Sequence, residues 1–374
     1  MRTLGIVLIS FSLLACIRSD AGGGNAHASA DAYRLETVTR EIRQPWGMTW
    51  LPDGDMLVTS RPGVLYRLSP EGELTVIGGL PDIHVNGQGG LLDIILSPNF
   101  ATDGWLYLSY ASPARDALGS NTAIARARLV GNTLTEREVL YKAEPDSASG
   151  QHYGSRMAFD QDGLLYFSIG DRGDRDSNPQ DLSRDGGKIY RLNANGSVPT
   201  DNPFVGQAGA LPAIYSYGHR NPQGMARHPV SGAIWIHEHG PRGGDEINIV
   251  KAGANYGWPI LSYGINYNGT SFAEAQAREG YESPRHYWTP SIAPSGMTFV
   301  TSGLYPEWQG HLLVGSLKFG YIEWVRLRGD QVAATARLFE DIGRVRDIRQ
   351  GPDGYLYVAT EGDGILRVVP RDSP

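Results

Sequence analysis

Short runs of alternating apolar residues, each opened by a turn residue and a glycine, return six times along the chain. They read Asp53-Gly54-Asp55-Met56-Leu57-Val58, Asp103-Gly104-Trp105-Leu106-Tyr107-Leu108 and Asp162-Gly163-Leu164-Leu165-Tyr166-Phe167. The later three are Ser231-Gly232-Ala233-Ile234-Trp235-Ile236, Gln309-Gly310-His311-Leu312-Leu313-Val314 and Asp353-Gly354-Tyr355-Leu356-Tyr357-Val358. Glycine accepts the positive φ of a tight turn, so Asp-Gly ahead of an apolar run predicts a β-hairpin. Upstream of each turn lies a second short strand, from Gly47-Met48-Thr49-Trp50 in the first copy to Arg346-Asp347-Ile348-Arg349 in the last. Each pair reads as the two inner strands of one blade. A hairpin repeat with a variable period of roughly 40 to 80 residues predicts an all-β, six-bladed β-propeller. Whatever precedes the first strand of each pair lies at the end opposite the hairpin, on one shared face.

The length of 374 residues allows two ordinary domains, but no composition break divides the chain, and the 48 glycines suit a fold of many turns. One propeller is therefore expected over residues 33–374. A formal net charge of −7 with dispersed basic residues gives no basis for binding nucleic acid or an anionic membrane surface. The N-terminus differs. Met1-Arg2-Thr3 leads into an apolar run from Leu4 to Ala15, too short to span a bilayer and laid out as a secretory signal. Leu13-Leu14-Ala15-Cys16 resembles a bacterial lipobox, and Cys16 is the only cysteine. The expectation is a lipoprotein signal peptide over 1–15, then a lipidated cysteine and flexible tether over 16–32. That places the protein in the bacterial envelope, facing the periplasm, with membrane contact only through its lipid. A plain signal peptide with an incidental cysteine is the alternative.

The segments ahead of the inner strands carry the candidate chemistry. Asn86-Gly87-Gln88, Gln151-His152-Tyr153, Gly218-His219-Arg220-Asn221, Ser291-Ile292-Ala293 and Gly343-Arg344-Val345-Arg346 sit at one phase of the repeat. Polar propeller loops are often merely wet, but five at one phase should converge on one end of the axial channel. Their arginines suit an anionic ligand, since a guanidinium grips a carboxylate with two parallel hydrogen bonds. Asp171 ends the strand that pairs with the one following His152, so the hairpin returns it to the His152 end. A carboxylate there holds one imidazole nitrogen and leaves the other to accept a proton. The acidic run Asp171 to Asn178 lacks the glycine and terminal glutamate of an EF-hand and reads better as a polar loop. His237 and His239, two apart on a strand, share a face, but nothing nearby completes a zinc site.

With these residues in view, the sequence resembles the soluble pyrroloquinoline-quinone (PQQ) sugar dehydrogenases, especially their aldose sugar dehydrogenase branch. The likeness runs from about Gln44 to Val369. It is carried by Pro45-Trp46-Gly47-Met48, Gly170-Asp171-Arg172-Gly173-Asp174, Gly218-His219-Arg220-Asn221-Pro222-Gln223-Gly224, Gly240-Pro241, Asp245-Glu246-Ile247-Asn248, Asn255-Tyr256-Gly257-Trp258-Pro259 and Arg344-Val345-Arg346-Asp347. The resemblance implies that His152 is the general base for the sugar's C1 hydroxyl and that Asp171 orients it. It implies that Arg220, Asn221, His239, Lys318, Arg344 and Arg346 hold PQQ and that Gln88 faces the substrate. The carbonyls of Gly240 and Pro241 would ligate a calcium at the cofactor. Glu246 and Tyr256 match part of a second calcium site, where Ser262 and Asn266 depart from the pattern. Shorter loops than in the glucose-specific enzymes imply a more open pocket and broad aldose use, disaccharides included.

The function expected is PQQ- and calcium-dependent oxidation of aldoses at C1 to lactones, with hydride passing to the quinone and electrons leaving to an unidentified acceptor. A calcium-dependent propeller lactonase, or a lipoprotein that binds sugars or a partner protein without catalysis, are the alternatives.

Overall fold

In the computed structural model, which describes residues 29–114 and 119–371, the repeat becomes twenty-four strands in six four-stranded antiparallel sheets. The expected signal peptide, Cys16 and most of the tether lie outside the described residues. Each of the six strand pairs read from the sequence is the innermost hairpin of one blade, from Pro45–Trp50 with Met56–Ser60 to Arg344–Gln350 with Leu356–Glu361. The six turn glycines, Gly54, Gly104, Gly163, Gly232, Gly310 and Gly354, all have φ between 65° and 96°. The second hairpin alone carries a helical turn, Phe100–Asp103.

One element was not foreseen. Strand Tyr33–Thr39 pairs with Gly364–Pro370, so the N-terminal strand completes the sheet built by the C-terminal three. This joins the two ends of the chain and leaves no gap in the ring. Its Tyr33 ring packs 4.4 Å from Trp308.

The apolar core is divided accordingly. Six buried clusters each span two neighbouring blades, such as Leu57, Leu65 and Ile94 with Leu106 between the first and second. Inner strands are covered on both faces, as in Met56–Ser60 and Leu165–Ile169, where every residue is buried.

Five of the six innermost hairpins slip register at the end of the strand away from the turn. The skipped residues are Trp46, Leu92 with Asp93, Gln223, Gly296 and Arg346. A bulge leaves one residue outside the ladder and re-aims its side chain. Three of these residues, Trp46, Gln223 and Arg346, line a cavity at that end of the axis.

Candidate active site

The cavity has a volume of about 340 Å³ and is walled by Trp46, Arg61, Gly87, Gln88, Gln223, His239, Tyr267, Ala293, Leu317, Arg344, Arg346 and Glu361. Except for Tyr267, on the loop between strands Asp245–Ile249 and His286–Trp288, these residues come from the starts of inner strands or the ends of their partners, which is the face the sequence phase indicated. Three arginines against Glu361 leave an excess of two positive charges. Glu361 holds two of them: Arg346 Nη2 donates to Oε1 at 2.5 Å and Arg344 Nε to Oε2 at 2.9 Å. Arg346 also donates to Gln223 Oε1 at 3.0 Å, so the bulged residues of two blades brace each other.

The histidine stands beside this wall. Gln88 Oε1 accepts the His152 backbone N–H at 2.8 Å. His152 has φ 58°, a left-handed conformation that turns the chain sharply at this point. Its Nδ1 lies 2.6 Å from Asp171 Oδ1. A carboxylate can only accept, so Nδ1 carries the proton and Nε2 the lone pair. Asp171 is further fixed by Gly173 N–H to Oδ1 at 2.8 Å and by Trp258 Nε1–H to Oδ2 at 2.9 Å. Burial lowers the imidazole's pKa; the Asp171 hydrogen bond opposes it, the Arg220 charge adds to it, and the net is a value below the ordinary 6.5. Burial alone would raise the Asp171 carboxyl, but the His152 contact, Arg220 and the Gly173 N–H outweigh it and hold it below its usual range. The resting pair is therefore a neutral imidazole against a carboxylate.

Behind the pair, Asn221 Oδ1 accepts the Gly154 N–H at 3.0 Å, while Asn221 Nδ2 is a buried donor with no partner among the described residues. Arg220 Nη1 donates to the carbonyls of His239 at 3.1 Å and Gly240 at 3.0 Å. The Gly240 carbonyl, expected to ligate calcium, thus already accepts from a guanidinium. A cation there needs negative charge alongside, which a polyanionic ligand supplies. Glu238 accepts the Arg220 backbone N–H at 2.6 Å and the His219 ring at 2.8 Å, so the arginine is set from below.

His237 and His239 do not form a zinc pair. His237 Nε2 reaches the Gly296 carbonyl at 3.2 Å and His239 Nε2 the Pro294 carbonyl at 2.6 Å, both in the next blade. Burial brings His237 down to about 3 and His239 well below the imidazole range. Lys318 is exposed, its ammonium 4.9 Å from the Phe319 ring, and it is not part of the cavity wall. Glu246 shares the Asn248 amide with Glu238, at 3.1 and 3.3 Å. Burial and the Glu238 charge push its pKa up to about 8. The Tyr256 hydroxyl donates to the Ile249 carbonyl at 2.6 Å and accepts the Lys251 N–H. Among the described residues no three His, Cys, Asp or Glu side chains are grouped to hold a metal.

Several working residues escaped the sequence reading. Glu361 holds Arg344 and Arg346 from the adjacent strand of its own blade, whereas Trp258, Arg61 and Trp46 carry no local signal of their roles, because each acts across blades. So does Arg156, which lies 4.1 Å under the Trp46 ring and donates to the Gln223 and Arg346 carbonyls at 2.9 and 2.7 Å. With Arg349 it pairs Asp93 and Asp347 at 2.9 to 3.2 Å. This neutral cluster reaches from Trp46 and Arg346 of the cavity wall to a second cavity at the opposite mouth, lined by Arg349, Met157, Met225 and Met297.

The sequence model of the Glucose / Sorbosone dehydrogenase family matches residues 42–368. The chain belongs to that family. It is 42% identical to the aldose sugar dehydrogenase YliI of Escherichia coli (strain K12), over 92% of this chain and 95% of that protein. The crystal structure of the soluble aldose sugar dehydrogenase from Escherichia coli in the apo-form superposes with a TM-score of 0.86 at 39% identity, covering 91% of this chain and 100% of that one. The PQQ-bound aldose sugar dehydrogenase from Streptomyces coelicolor gives a TM-score of 0.74 at 29% identity, covering 90% and 98%. The architecture is that of a sugar dehydrogenase propeller, and a relative of the same fold binds PQQ.

Proposed function

We propose that the protein oxidises aldoses at C1 to lactones, with PQQ in the arginine-lined cavity and a calcium ion beside it. The observation that carries this reading is the buried His152–Asp171 pair, tied through Gln88 to the wall of a cationic cavity. A cavity of about 340 Å³ suits one compact ligand. Its excess positive charge and the unpartnered Asn221 Nδ2 suit a planar polycarboxylate with acceptor oxygens. Arg344, Arg346, Arg61 and His239 would hold it at the wall, with Arg220 and Asn221 behind. The carbonyls of Gly240 and Pro241 offer oxygen donors to a hard cation, with the cofactor's carboxylates offsetting Arg220.

When bound, PQQ supplies the two-electron acceptor for the hydride that leaves C1. The chain's part is the proton. Asp171 keeps Nδ1 protonated, so Nε2 takes the C1 hydroxyl proton as the carbonyl forms, and Asp171 stabilises the resulting imidazolium. A lactonase needs axial carboxylates free for calcium, whereas Asp93 and Asp347 are already paired with arginines. Export to the envelope and anchoring through Cys16 complete the proposal, with Lys318 and a second calcium at Glu246 as its outer parts.

The test is a titration of apo-protein with PQQ and calcium, following dye reduction with a panel of aldoses. Saturable turnover at near-stoichiometric PQQ supports the reading. Absence of PQQ binding contradicts it.

A further inference from the structure

Tyr267 lines the cavity yet leaves 72% of its surface exposed, beside walls otherwise built from Arg61, Gln88, Arg344 and Arg346. An aromatic ring held in water at the lip of a polar cavity satisfies nothing within the fold. The turn that carries it is nevertheless held firmly. Gly269 N–H donates to the Asn266 carbonyl and Asn266 N–H to the Thr270 carbonyl, both at 2.9 Å, so Tyr267 sits at the tip of a tight turn. Asn268 Oδ1 accepts the Thr270 N–H and hydroxyl at 3.1 and 2.7 Å. Arg175 Nη1 donates to Asn266 Oδ1 at 2.9 Å, and its guanidinium lies 4.7 Å from the Phe272 ring. Phe272 meets Trp258 edge-on at 5.2 Å, and Trp258 donates to Asp171. The turn that carries the exposed ring is thereby tied to the carboxylate beside His152.

A pyranose carries hydroxyls around its rim and C–H groups on its faces, so it suits a flat aromatic ring on one side and polar groups at the edge. In a reducing disaccharide whose C1 faces His152 and the bound cofactor, the second ring points away from C1, towards the mouth of the cavity. We infer that Tyr267 is the stacking platform for that second glycosyl ring, a subsite that selects disaccharides among reducing sugars. The inference rests on the dehydrogenase reading above. The turn's bracing places the platform in advance, so binding costs little ordering of the loop.

The test compares Tyr267→Ala and Tyr267→Phe with the wild type, all PQQ-loaded, on glucose and maltose. Melting temperatures should match, because the side chain is largely in water. Tyr267→Ala should raise KM for maltose about tenfold and leave glucose and both kcat values within about twofold, while Tyr267→Phe stays near wild type. Calorimetric titration of maltose into the same proteins loaded with reduced PQQ, which cannot accept a hydride, should show the same loss of affinity without turnover. If Tyr267→Ala shifts both sugars equally or neither, or if the wild type oxidises glucose and not maltose, the platform is overturned alone. A wild type that oxidises no aldose overturns the dehydrogenase reading and the platform with it.

Discussion

In the proposed reaction His152 is the base and Asp171 holds it, and their surroundings lower both groups. The imidazole is lowered by burial and the carboxylate by its hydrogen bonds, so the base is neutral across the physiological range. The sign of the pH dependence follows. Protonated His152 cannot accept, so kcat/KM should rise with pH through an apparent pKa below the ordinary 6.5 and be level by neutrality. A profile still rising above pH 7.5 would remove His152 as the base. Asp171→Asn no longer fixes the tautomer; kcat should fall about 100-fold or more with PQQ affinity kept, as measured by titration beside turnover. This pair was legible in the sequence because a hairpin returns its chain to where it began. Trp258, 87 residues further on, was not, since its contact with Asp171 exists only once the third and fourth blades meet.

The same limit holds for whole elements. Inner strands and turns were legible from alternation and glycine, but the bulges at Trp46, Gln223 and Arg346 leave no mark in an alternating pattern. They nonetheless decide which residues enter the cavity. Close approach is similarly silent: a Cβ at Gly170 would come 2.3 Å from the His152 carbonyl and 2.7 Å from Asn221 Oδ1. Gly170→Ala should therefore displace the His152 loop, costing about 1–3 kcal/mol in denaturant unfolding and lowering kcat together. In the fourth blade, Glu246 is raised from 4.5 to about 8, so the folded state holds its proton more tightly than the unfolded chain. Its contribution to stability is complete below pH 4.5 and lost as pH climbs through 8. Glu246→Gln should remove that slope from the melting temperature. Without PQQ, and so without the charge that the Gly240 site needs, calcium should raise the wild-type melting temperature above pH 8 and leave the variant unmoved; equal shifts in both would exclude a calcium at Glu246.

At the scale of the molecule, stability is spread over six interfaces rather than one core, so the ring depends on its closure. That closure falls to Tyr33–Thr39 on Gly364–Pro370, and the same blade supplies Arg344, Arg346 and Glu361 to the cavity. The propeller was legible from its repeat, whereas the closing strand lies outside the repeat and carries no turn signal. Removing residues 1–39 exposes a sheet edge and the packing face of Trp308. It should cost at least the about 3 kcal/mol of a lost buried aromatic, promote self-association on size-exclusion chromatography and weaken PQQ binding. The proposed reaction joins these scales: a cationic cavity would hold the quinone while His152 takes the proton. The most direct measurement mixes PQQ-loaded wild type and His152→Ala with glucose under anaerobic conditions and follows the cofactor's absorbance. Both proteins should bind PQQ stoichiometrically, with reduction at least about 100-fold slower in the variant. Equal reduction rates would contradict the proposed reaction.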